Sequence, residues 1–91
     1  MSFFGSTKKK VSKLEFKQVR TILHHKGFSG REIDKVEMIF RADLNESSQY
    51  EQGIDAKEIE KGVKWMKKNK SSHGLSSNRI DTIESALKSK L

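Results

Sequence analysis

The chain has 91 residues, 33% of them hydrophobic and 34% charged, with a net charge of +7 and neither Cys nor Pro. That length allows one domain with one modest core. Without Cys there is no disulfide framework, thiolate metal site or thiol nucleophile, and no apolar run approaches the roughly 20 residues that span a bilayer. The expectation is a soluble, cytoplasmic protein. The charge is uneven: residues 1–27 carry seven Lys/Arg and one acid, residues 28–58 four basic residues and eight acids, and residues 59–91 eight basic residues and three acids. A basic balance favours phosphates and acidic partners, or simply keeps a small domain dissolved.

Residues 1–10, MSFFGSTKKK, have no periodicity and read as a flexible basic tail, with 11–91 as a single helical domain. Lys8, Lys9 and Lys10 are candidates for phosphate contact, and Phe3 and Phe4 for a membrane surface. After the tail one local pattern occurs four times: an apolar residue, a Ser or Asp, three further residues and a second apolar one. It reads Val11-Ser12 to Phe16, Phe28-Ser29 to Ile33, Ile54-Asp55 to Ile59, and Leu75-Ser76 to Ile80. This marks a helix start, where the Ser or Asp oxygen accepts from a first-turn N–H and the flanking apolar pair closes a staple. Glu15, Glu32 and Glu58 complete a capping box in the first three; Arg79 takes that place in the fourth.

The predicted helices run over about 12–25, 29–45, 55–69 and 76–90. The first carries Leu14, Phe16, Val19, Ile22 and Leu23 as its apolar stripe, the second Ile33, Val36, Ile39 and Phe40 with Met38 beside them. The third carries Ile59, Val63 and Met66, the fourth Ile80, Ile83, Leu87 and Leu91. Each is one narrow face that wants a core. The fold class is all-α, four short helices as a compact orthogonal pair of helical hairpins. Gly27, Gly53 and Gly74 precede three of the starts, where the chain turns. Residues 45–53 form the longest internal loop, with Tyr50 as its anchor.

The stretch 28–83 resembles an EF-hand unit with its neighbouring helices. Its centre reads Ile39-Phe40-Arg41-Ala42-Asp43-Leu44-Asn45, then Gly53-Ile54-Asp55-Ala56-Lys57-Glu58-Ile59. In that family an entering helix leads to a loop that opens D-x-[DN] and ends before an exiting helix. The resemblance implies that Asp43 and Asn45 are early ligands, that Asp55 and Glu58 are late ones, and that Ile54 pairs with a second hand. From Asp43 to Glu58 is sixteen residues, whereas the calcium loop has about twelve. A lengthened loop would draw on Asp43, Asn45, Glu51, Asp55 and Glu58; the same Asp55 and Glu58 also read as a cap alone.

Chemistry for catalysis is thin. His24 and His25 are adjacent and face about 100° apart, suited to the last turn of a helix rather than to one ion. His73 lies in a Ser/Gly segment and reads as solvated. There is no metalloprotease, phosphate-loop or nucleophile-elbow motif, so the expectation is a non-enzyme without a cofactor. Trp65 stands between the buried face of the third helix and a flank bearing Lys61, Lys64 and Lys68. It is either an anchor at the helix edge or a binding hot spot, and with those Lys it is the candidate contact for a partner. The leading expectation is an EF-hand-like protein-interaction module without calcium. Alternatives are a nucleic-acid-associated protein using the basic tail and third helix, and a calcium-binding EF-hand with an atypical loop.

Overall fold

The four cap motifs become four helix starts in a computed structural model that describes residues 9–45 and 52–91. The helices are α1 (Lys13–His25), α2 (Gly30–Leu44), α3 (Ala56–Lys68), α4 (Lys70–His73) and α5 (Ser77–Lys88). Ser12, Ser29 and Asp55 close complete capping boxes on Glu15, Glu32 and Glu58. At Asp55 the carboxylate accepts from the Glu58 N–H at 2.8 Å, and Glu58 Oε1 accepts from the Asp55 N–H at 2.9 Å. Ser76 accepts from the Arg79 N–H with no carboxylate to reciprocate. Two first-turn donors are satisfied at three of the starts and one at the fourth.

Helix α4 is an addition to the four predicted helices. It is a single turn between α3 and α5, and it carries no apolar period of its own. The layout otherwise repeats. A helix beginning at a cap after Val11 or Ile54 turns into a second helix beginning after Phe28 or Leu75. The first caps, Ser12 and Asp55, are 43 positions apart, and the second, Ser29 and Ser76, are 47 apart. The difference equals the four residues of α4.

The two hairpins, α1–α2 and α3–α5, pack with α1 on α5 and α2 on α3. One core runs through the molecule, including Phe16, Val19, Leu23, Phe28, Val36, Phe40, Ile54, Ile59, Met66, Ile80, Ile83 and Leu87. Ion pairs tie each hairpin across its helices: Arg20 to Asp34 at 2.9 Å and Glu37 at 2.6 Å in the first, Lys67 to Asp81 at 3.1 Å in the second.

The helix starts also meet in pairs. Val11 and Ile54 form an antiparallel bridge, the Val11 N–H donating to Ile54 at 2.8 Å and the Ile54 N–H to Val11 at 3.0 Å. Both side chains are fully buried. Gly53 makes this approach feasible: its φ is 107°, and a Cβ there would lie 2.9 Å from the Val11 carbonyl oxygen. At the second pair of starts Arg79 donates to Glu32 at 3.2 Å and lies 4.6 Å over the Phe28 ring.

Two expectations are corrected. Leu14 is 68% exposed and not part of the α1 stripe; it lies two residues from Phe16, some 200° around the helix, while Phe16, Val19 and Leu23 keep the three-four spacing. His73 is buried rather than solvated, at 5% exposure. Phe3, Phe4, Lys8, Tyr50 and Glu51 lie outside the described residues. Among the described residues no helix is long and apolar enough to cross a membrane.

Candidate functional site

Helix α3 has three faces. Ile59, Gly62, Val63 and Met66 point into the core. Roughly 100° round, Glu58, Lys61 and Trp65 line a cleft shared with α2. Opposite the core stand Lys57, Lys61, Lys64 and Lys68, all exposed and spaced four, three and four.

The cleft has a volume of about 710 Å³. Its floor and walls are Met38, Ile39, Phe40, Gly62 and Trp65. Gly62 sets the depth, because its missing Cβ would fall inside van der Waals contact of the Phe40 ring. Helices α2 and α3 approach there more closely than any side chain permits. At one end lie Asp43 and Glu58, beside the Gly53 N–H bond to the Asp43 carbonyl at 2.8 Å. At the other lie Lys35, Ser72 and His73.

His73 holds the α4 end together. Its Nδ1 accepts from the Leu75 N–H at 3.0 Å, so Nε2 is the protonated nitrogen and donates to the Met66 carbonyl at 2.7 Å. Lys35 donates to the His73 carbonyl at 3.2 Å. The His73 ring lies tilted against Trp65 with centroids 6.1 Å apart. Trp65 thus meets the His73 ring while the residue keeps 46% of its surface exposed. Met38 is 65% exposed across the same cleft. Two large apolar side chains at the rim of one cleft cost solubility on a small domain.

The predicted ligand residues are dispersed in their roles. Asp55 and Glu58 are joined to each other by the capping box that starts α3. Asn45 turns its side-chain amide to the Arg41 carbonyl at the end of α2. Asp43 shares the cleft with Glu58. Among the described residues no group of three or more His, Asp or Glu side chains converges as a metal site.

Comparison with family models, with curated proteins and with solved structures gives no match.

Of the predicted partner residues, Trp65 and Lys61 line the cleft, and Lys64 and Lys68 continue from Lys61 along α3. Lys9 and Lys10 lie apart from that stripe in sequence, leading into the Val11 bridge. His24 and His25 are exposed in the last turn of α1. Met38 stood beside the α2 stripe in sequence; the cleft roles of Gly62 and His73 escaped the sequence reading. A signal existed for Gly62: a glycine inside an apolar-periodic helix costs about 1 kcal/mol against Ala and marks a close approach. For His73 there was none, because its partners are backbone groups.

Proposed function

We propose that this chain is a small non-enzymatic protein-interaction module of EF-hand-like architecture, whose cleft between α2 and α3 takes a helix of another protein. The observation that carries the reading is the pair of exposed apolar residues, Met38 and Trp65, facing one cleft above Phe40 and Gly62. A groove with apolar anchors at its rim is the geometry by which amphipathic helices are captured. The cleft is also backed by a glycine-set contact and a hydrogen-bonded histidine, so it is preformed and little ordering entropy is lost on binding.

The Val11–Ile54 bridge supports the EF-hand-like part of the reading. The resemblance implies that Ile54 pairs with the equivalent residue of a second hand. Val11 occupies the same position relative to its own cap as Ile54 does to Asp55. Calcium has no part in the proposal: the carboxylates of Asp55 and Glu58 cap α3.

The test is selection of displayed helical peptides against the full chain. Enriched peptides that bind the wild type and lose binding to a Met38→Ala/Trp65→Ala variant of unchanged melting temperature support the cleft. A selection that enriches nothing, or only peptides indifferent to both substitutions, retires it.

A further inference from the structure

The cleft reading leaves the sign of the partner open, and the charges around the cleft decide it. Three cations tie helices together through ion pairs: Arg20 with Asp34 and Glu37, Lys67 with Asp81, and Arg79 with Glu32; Lys88 pairs with Glu84 within α5. Lys57, Lys61, Lys64 and Lys68 form no such pair, for none has a described carboxylate within 4.0 Å. These four form one continuous row along α3. Lys61 belongs both to the row and to the cleft lining. A row of exposed lysines with no ion pair among the described residues therefore borders the apolar floor along its α3 side.

The two ends of the cleft differ in charge. Asp43 and Glu58 mark one end, Lys35, Ser72 and His73 the other. Lys35 and Asp43 are eight residues apart on α2, so the groove spans roughly 12 Å, or about two turns of a docked helix. A helix lying in it presents three or four apolar anchors to Met38, Phe40 and Trp65. Its outer flank faces Lys61, Lys64 and Lys68. A nucleic acid meets the same Lys row, but a phosphate backbone following the cleft also meets the Glu58 carboxylate, which repels it. An amphipathic helix with a carboxylate flank satisfies both the apolar floor and the cations.

Resting on the cleft reading, we infer that the partner is an acidic amphipathic helix, its apolar face on Met38, Phe40 and Trp65 and its carboxylates on Lys61, Lys64 and Lys68. Its N-terminus, the positive end of the helix dipole, lies toward the Glu58 end of the cleft.

The experiment uses a displayed library of Trp-free helices with fixed Leu, Phe and Met anchors and with Glu, Gln or Lys at every flanking position. It is selected on the full chain. Binding of the enriched peptides is read from the emission of Trp65, the only tryptophan of the chain. Glu-rich flanks among the enriched peptides are expected. Affinity should fall at least about tenfold for a Lys61→Glu/Lys64→Glu/Lys68→Glu variant. Selection on that variant should turn to Lys-rich flanks, which shows that it still folds and still binds. Enriched peptides that need Trp65 but have neutral or Lys-rich flanks overturn the inference and leave the cleft reading standing. No enrichment above the Met38→Ala/Trp65→Ala background overturns both. A thymidine oligonucleotide that displaces the peptides and binds more tightly than any of them overturns the acidic helix in favour of nucleic acid.

Discussion

Val11 and Ile54 exchange both of their backbone hydrogen bonds, at 2.8 and 3.0 Å, and so fix the start of α1 to the start of α3. Both side chains are fully buried, and the bridge precedes two capping boxes by one residue each. The entry points of two helices are thereby positioned together. Truncating Ile54 to Ala should cost about 2–5 kcal/mol of unfolding free energy, the range for emptying a fully buried branched site. Val11→Pro should cost about 1–3 kcal/mol through the lost N–H alone, since it leaves the buried Ile54 carbonyl unpaired. Urea unfolding measures both. A Val11→Pro protein as stable as the wild type would show that the bridge contributes nothing in solution.

How much of this arrangement the sequence carries depends on the range of the interaction. The four starts at Ser12, Ser29, Asp55 and Ser76 are local: cap and staple, with a box at the first three, are encoded within six residues, and each helix begins immediately after its predicted cap. Which starts pair is not local. Nothing between Val11 and Phe16 specifies Ile54 as a neighbour, and nothing near Arg79 specifies Glu32. The single turn α4 is held by His73, which bonds to backbone groups and leaves no periodic trace. For the site, Trp65 and Lys61 stood out by residue type and spacing, whereas the cleft depends on Gly62 meeting the Phe40 ring: a glycine inside an apolar-periodic helix signals a close approach, but not which side chain approaches.

Gly62→Ala sets two effects of opposite sign against each other. Alanine in a helix interior is worth about 1 kcal/mol over glycine. A Cβ at this position, however, enters the Phe40 ring, and overpacking a core costs about 1–3 kcal/mol. The ring is fully buried and has little room to swing, so net destabilisation is expected, together with a shallower cleft. A double-mutant cycle with Phe40→Leu separates the two effects. The pair should be less destabilised than the sum of the singles, because the smaller side chain relieves the clash. A stabilised Gly62→Ala single variant would show that the helices part at no cost.

Glu32 gives the molecule an acid-sensitive joint. The bond from the Ser29 backbone N–H is the largest influence holding its carboxyl below the usual carboxylate range, with Arg79 adding to it. A carboxylate whose folded value is depressed adds stability above its unfolded value and loses it as pH falls through the folded one. The stability gap between wild type and Glu32→Gln should thus be widest near neutral pH and shrink steadily under acid. Chemical denaturation at a series of pH values measures it. A gap independent of pH would mean that Glu32 acts through shape alone. Because the group is partly exposed, added salt should narrow the Arg79 part and leave the Ser29 part.

Calcium provides the sharpest division between an interaction module and a sensor. Glu58 accepts from the Asp55 N–H through Oε1, while Asp55 accepts in return from the Glu58 N–H through Oδ1, so a bidentate Glu58 ligand would have to share its capping oxygen with the ion. A titration of the full chain with calcium, with magnesium in excess and backbone amides observed by NMR, should leave Asp43, Asn45, Gly53 and Glu58 unshifted below about millimolar calcium, the weak limit of functional EF-hand loops. Localised shifts that saturate at lower calcium would establish a sensor and overturn the proposed calcium-free module. Glu58→Gln separates the cap from the ligand. Its amide oxygen still accepts from the Asp55 N–H, so the helix start should survive with a loss of only some tenths of a kcal/mol to about 1 kcal/mol. A calcium site would lose a charged ligand and weaken sharply. Equal titrations for wild type and Glu58→Gln are the outcome expected of a capping residue.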